Sequence, residues 1–187
     1  MVRNIQKLPE DIKANVQVFE GQLTEDDVIL TSLDGVDAVI SALGPVFPGH
    51  PTGLPITIGY RHIFRCMREK NITRILALST PSLVDKANDK RLWWGTFGIL
   101  PIKFFFQNGY KDIVATGELF QEQSDLDWTL YRVVGLMDSK EESGKLKVSY
   151  GGDAGMWLYR KDIARFCINE VVENKWVHKL PLLSSDS

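Results

Sequence analysis

The sequence predicts an α/β fold, a largely parallel sheet with helices packed on both faces. Strand-like runs of four to seven apolar residues alternate with helix-like stretches of ten or more, the pattern of strands buried on both sides. No segment repeats another and no low-complexity linker interrupts the chain, so residues 1–187 read as a single domain. A length of 187 residues with 44% hydrophobic and 25% charged side chains is enough to bury a substantial core.

Taken in order, "VQVF" opens a strand over 16–20, and Met1-Val2-Arg3-Asn4 before it reads as the tail of another. A helix over 25–33 leads into "DAVISAL", a strand over 37–43. The loop "GPVFPGHPTGLP" follows, then a helix over 56–70 whose apolar residues Ile56, Ile63, Phe64 and Met67 recur at helical spacing. "RILALS" is a strand over 74–79, followed by an aromatic excursion over 93–106 and a helix over 110–123. "DWTLYRVVG" is a strand over 127–135. "KLKVSY" alternates polar and apolar residues over 145–150, as a short edge strand does. A helix over 161–173, with Asp162 as its starting cap, and the closing "KLPLLS" complete the chain.

Charge and composition remove several function classes. A net charge of −2, with Lys and Arg scattered, gives no electrostatic footprint for nucleic acid. Cys66 and Cys167 fall in helix-like segments as buried, reduced residues, and His50, His62 and His178 stand far apart, so no metal site is expected. Arg3, Lys7, Glu10 and Asp11 interrupt any secretory signal, and Pro101 and Lys103 break the greasiest stretch. That stretch falls short of the roughly 20 apolar residues a membrane span needs. A cytoplasmic protein with no membrane contact is the expectation.

"LDGVDAVISALGP", the helix with "ITRILALST", and "GELFQEQSDLDWTLYRVVG" together resemble the NmrA-like, atypical short-chain dehydrogenase/reductase family. Their spacing is similar to the biliverdin/flavin reductase type and its fungal relatives in secondary metabolism, and "LYRKDIARFCINEV" is similar to the family's late helix. The resemblance covers residues 1 to about 184. It implies a Rossmann-like, NAD(P)-binding domain. Family members begin with a strand, a glycine-rich GxxGxxG turn, a helix and a second strand ending in something like "VRN". Here Val2-Arg3-Asn4 matches that ending alone, so the resemblance implies a domain truncated at its N-terminus, without the turn that cradles a pyrophosphate. The loop "GPVFPGHPTG" follows a different strand and reads as an active-site loop rather than a substitute cradle. Two sheet edges would then lie open. Direct pairing of 16–20 with 37–43 through a right-handed crossover is the expectation; cover by a second copy, as a homodimer, or a chain that does not fold well alone are the alternatives.

The resemblance also assigns residues. Arg3 matches the arginine that holds the 2′-phosphate of NADP, a task suited to a planar, bidentate guanidinium; its rival reading is a solvated charge. Gln22 and Leu23 stand where the family approaches the adenine, although Gln22 serves equally as a strand-ending polar residue. Ala42, Leu43 and Gly44 end a strand at the carboxyl edge, where ligands bind in open α/β sheets. Ser79 and Thr80 match a hydroxyl pair beside the nicotinamide, able to polarise a carbonyl or, as strand-ending residues often do, to satisfy local backbone. Tyr110 falls on the catalytic tyrosine of a Y-x-x-x-K pair, but the lysine position is Val114, and Lys111 points elsewhere on the helix. Lys161 matches a basic position whose role stays open. The aromatic segment 93–106 suggests the wall or lid of a pocket for a large, flat, apolar ligand, with a subunit interface or a membrane surface as rivals.

Two functions follow as expectations. One is an NADPH-linked reductase or dehydrogenase acting on a small aromatic or polyketide-like metabolite. The other is a cofactor-free or regulatory binding protein on the same scaffold.

Overall fold

The structure, a computed structural model, describes residues 1–46, 49–92, 106–138 and 145–185. Its main sheet runs in the order β1 (Ala38–Ser41), β2 (Arg74–Ser79), β3 (Asp127–Val133), β7 (Leu182–Ser185) and β5 (Leu146–Ser149). The first four strands are parallel and β5 is antiparallel to β7. A separate parallel pair is formed by β4 (Gly135–Met137) and β6 (Trp157–Tyr159). This is the mostly parallel, helix-flanked arrangement that the alternation predicts, and the Rossmann-like one that the resemblance implies.

The two faces of the sheet carry separate cores. On β2, Ile75 and Ala77 join one and Leu76 the other; on β3, Trp128 and Leu130 face the first, Tyr131 and Val133 the second. This is the period-two reversal of a strand buried on both sides. The first core is covered by α2 (Asp26–Ser32), α3 (Pro55–Glu69) and α4 (Gln107–Gln121). At its centre Phe120 meets Tyr60 and Phe64 edge-on, each at 4.8 Å between ring centroids. The second core is covered by α5 (Arg160–Glu173). It holds a buried ion pair, Arg74 to Glu170 at 2.8 Å. The remaining helical pieces are a 3₁₀ turn, Ile5–Lys7, and the single turn α1 (Glu10–Lys13).

Gly117 shows how closely α4 approaches the loop after β2. A Cβ placed there would lie 2.3 Å from Leu83 Cδ1, and Leu83 is itself buried. Gly117→Ala is therefore expected to destabilise by about 1–3 kcal/mol through overpacking. A lowered urea midpoint with unchanged slope would register it.

Several expectations change on contact with the structure. Residues 16–19 form no strand and do not pair with β1. The backbone there is used by Val2 instead: Val2 N–H donates to the Phe19 carbonyl (2.8 Å), and Gly21 N–H to the Val2 carbonyl (3.0 Å). The predicted crossover is thus replaced by one parallel bridge, Val2 with Glu20. "KLPLLS" contributes β7, an inner strand, whose Leu182 and Leu183 are fully covered. Asp162 is not the residue capping α5; Tyr159 holds that position, and Asp162 lies buried in the first turn, accepting from Ser185 Oγ at 2.7 Å. The expected lid over 93–106 lies outside the described residues except for Phe106, which precedes α4. No helix among the described residues is long and apolar enough to cross a membrane.

Candidate functional site

A cleft of about 620 Å³ opens beyond the carboxyl end of β1. Three stretches far apart in sequence meet there: Arg3 with its neighbours, residues 21–24, and the loop leaving β1 from Leu43 onward. Arg3 and Gln22 come together through the Val2–Glu20 bridge. The Glu25 carboxylate then accepts from Gln22 N–H (2.8 Å), fixing the turn into α2. Leu23 is seated against α3 because residue 59 is glycine; a Cβ there would stand 2.7 Å from Leu23 Cδ1.

The loop between β1 and α3 folds back over the cleft. Gly49, Gly53 and Leu54 adopt positive φ (96°, 86° and 58°), and Pro55 then starts α3. Leu54 has no side chain to cap the helix. The cap arrives from α4: the Asp112 carboxylate accepts from Ile56 N–H (2.9 Å), Thr57 N–H (2.9 Å) and Thr57 Oγ1 (2.7 Å). It sits where the helix dipole favours an anion. His50, which lines the cleft, completes the arrangement. Its Nδ1 accepts from Val46 N–H (3.3 Å), so the ring proton is on Nε2 and is donated to Asp112 at 2.9 Å. Asn108 donates to the His50 carbonyl (3.1 Å). Burial pushes the Asp112 carboxyl up, but the bonds from Thr57, Ile56 and His50 outweigh it and hold the group below the ordinary carboxylate range. The N–H groups of Ile56 and Thr57 at the start of α3 are thus taken by Asp112.

Arg3, Gln22, Leu23, Leu43 and Gly44 all line this cleft, and Ala42 lines an adjoining trough along β1. Ser79, Thr80 and Tyr110 are not among the residues lining either. Ser79 is buried at the end of β2, in register with Arg132. Thr80 Oγ1 accepts from Ser82 N–H (3.3 Å) in a local turn. Tyr110 is half-buried on α4, with Val114 one turn on.

Sequence reasoning missed the His50–Asp112 pair and a second buried clamp. Arg132 holds Asp89 with two hydrogen bonds (2.6 and 2.5 Å) and donates to the Leu83 carbonyl (3.0 Å), tying the loop after β2 beneath β3. A helix start with no capping side chain, and a lone aspartate among the apolar residues of α4, were the available signals. Nor had Tyr60 and Tyr131 been singled out. They bond Ser41 at the end of β1 (2.8 Å each), and burial raises both phenols above the ordinary range, which makes them neutral structural partners.

The cleft presents the Arg3 guanidinium, the Gln22 carboxamide, Thr24 and His50 among apolar walls, and the guanidinium beside apolar surface suits an adenosine carrying a phosphate. A sequence profile described as NAD(P)H-binding matches residues 1–174. No curated protein matches the sequence. Among solved structures, the chain is similar to a wide-type short-chain dehydrogenase/reductase from Veillonella parvula DSM 2008 in complex with NADP. The TM-score is 0.76 at 12% identity, covering 98% of this chain and 80% of that one. It is also similar to ChuY, an anaerobillin reductase from Escherichia coli O157:H7, with TM-score 0.75, 17% identity, and 100% and 83% covered. A Rossmann-fold NAD(P)-binding family protein from Shigella flexneri gives 0.68 at 14% identity, with 100% and 79% covered.

Proposed function

This chain belongs to the NAD(P)H-binding family, and from that membership we propose that it is an NADPH-dependent reductase or dehydrogenase of the NmrA-like type. The observation that carries the proposal is the meeting of Arg3 and Gln22 with Leu43 and Gly44 in one cleft. Arg3 would bind the 2′-phosphate by charge-assisted, bidentate hydrogen bonds. Gln22 and Leu23 would bracket the adenine by amide hydrogen bonding and apolar contact, and residues 42–44 would run beside the cofactor at the end of β1. When bound, NADPH supplies a hydride. The chain supplies orientation, with Ser79 and Thr80 as the hydroxyls proposed to meet a substrate carbonyl. A flat aromatic or polyketide-like substrate is in keeping with the aromatic segment 93–106.

A second reading is favoured by two observations. Val114 stands where a tyrosine–lysine pair would need its lysine, and the α3 start is committed to Asp112. On that reading the cleft senses a nucleotide or another small molecule without hydride transfer.

Titration of the purified chain with NADPH and NADH, followed by fluorescence, tests both. Binding of NADPH is expected, and Arg3→Ala is expected to weaken NADPH by about tenfold or more while sparing NADH. Equal effects on the two cofactors would discard the 2′-phosphate role, and no binding at millimolar cofactor would remove the redox reading. Binding without NADPH oxidation across a panel of aromatic carbonyls and quinones would select the second reading.

A further inference from the structure

His50 joins the helix pair behind the cleft to the loop in front of it. It is buried, yet it borders the cavity, so water reaches the ring from that side. Its two nitrogens make unequal bonds. Nε2 donates to the fully buried Asp112 carboxylate at 2.9 Å, whereas Nδ1 accepts from Val46 N–H over 3.3 Å. Val46 belongs to the loop leaving β1, lines the same cavity and is 52% exposed. Of the charged groups around the ring, α4 supplies Asp112, and Arg3 and the Met1 amino group border the cavity. Ile56 and Thr57 of α3 carry no charge, and Asn108 meets the His50 carbonyl as a neutral amide.

We propose that His50 is a proton-operated latch on this loop and, resting on the nucleotide reading of the cleft, that nucleotide affinity follows its protonation. A neutral imidazole has one N–H and one acceptor, and here the acceptor is occupied by Val46. A proton taken up on Nδ1 turns that acceptor into a donor. Two N–H groups then face each other, and the longer of the two bonds is lost. The bond to Asp112 survives and strengthens, because a cation now donates to an anion. Asp112 stays ionised throughout, since the groups bonded to it hold it below the ordinary carboxylate range. Val46, half in solvent, turns its N–H to water and draws the loop away from the ring. A ligand that fits the latched cleft therefore favours neutral His50, and its affinity falls as pH falls.

The test begins with the free protein. By heteronuclear NMR, the His50 ring and the Val46 amide are expected to shift with one shared midpoint between about pH 5 and 8, where imidazoles titrate. NAD⁺ is then the ligand probe, read by calorimetry, because it lacks the 2′-phosphate, which itself titrates near about pH 6. Its affinity is expected to fall about tenfold across that range. His50→Asn puts an oxygen in place of Nδ1 that accepts from Val46 but takes up no proton, and its NAD⁺ affinity is expected to be flat with pH. Arg3 and the Met1 amino group remain in that variant, so a slope of their making would persist there. Absence of His50 titration in this range, titration that leaves Val46 unmoved, NAD⁺ affinity independent of pH in the parent, or an equal slope in His50→Asn would each overturn the proposal. Joint movement of His50 and Val46 with no NAD⁺ binding at any pH would uphold the latch and remove the nucleotide reading instead.

Discussion

Asp112→Ala is expected to cost about 3 kcal/mol or more and to lower the melting temperature by roughly 6–12 °C for a chain of this size. The carboxylate is fully buried and accepts from two backbone N–H groups, a threonine hydroxyl and a histidine ring. Among the described residues, only the Thr57 hydroxyl of these donors has other bonds, to the Asp112 carbonyl at 3.2 Å and to Thr116 Oγ1 at 3.0 Å. An orphaned buried donor costs about 1–3 kcal/mol, and the start of α3 has no cap of its own. The same group sets an acid limit. Its folded pKa lies below the unfolded value of about 3.9, so the unfolded chain takes up the proton more readily. Its contribution is complete above that pH and is lost as pH falls through the lower, folded value. Chemical denaturation between pH 7 and pH 2 should show Asp112→Asn with a flatter acid limb than the parent. Parallel limbs would mean that the carboxylate contributes nothing there.

Glu170→Ala is expected to cost about 3–5 kcal/mol, because it leaves the Arg74 guanidinium buried without its counter-ion. Arg74 keeps only the Asp127 and Glu170 carbonyls and Thr129 Oγ1, and its Nε already lacks a hydrogen-bond partner among the described residues. Burial lowers the Arg74 pKa and Glu170 pushes it back, so removing the glutamate removes the main support for the charge. Trp176 N–H, which donates to Glu170 at 2.7 Å, loses its acceptor too. Replacing both partners with methionine is expected to be near neutral, since an apolar pair avoids desolvating either charge. Equilibrium unfolding of both singles and the double variant measures this coupling. Additive effects would show that the two side chains act independently.

The elements most legible in the sequence were those whose pattern is local. The strand over 74–79 is found within those bounds, and the helix expected over 56–70 runs Pro55–Glu69, since apolar spacing alone determines which face is buried. The strand-like run over 16–19 misled because propensity becomes a strand only beside a free edge, and Val2 took the backbone groups nearby. β7 was passed over because Pro181 precedes it and its neighbour β3 lies some fifty residues back in sequence. The clustering of Arg3, Gln22 and Leu43 was legible only through the family resemblance. The bond between His50 and Asp112 joins residues 62 apart and carried no motif.

The carboxylate shared between α3 and α4 leaves little freedom for relative sliding of those helices, so one wall of the cleft behaves as a fixed template. The strip holding Arg3 and Gln22 is held more lightly, by the Val2–Glu20 bridge, by Ile5 N–H to the Glu20 carboxylate, by the bond from Gln22 N–H to Glu25 and by Leu23 against Gly59. Accommodation of a guest falls to that strip, and the entropy surrendered in stilling it is subtracted from whatever grip the rigid wall provides.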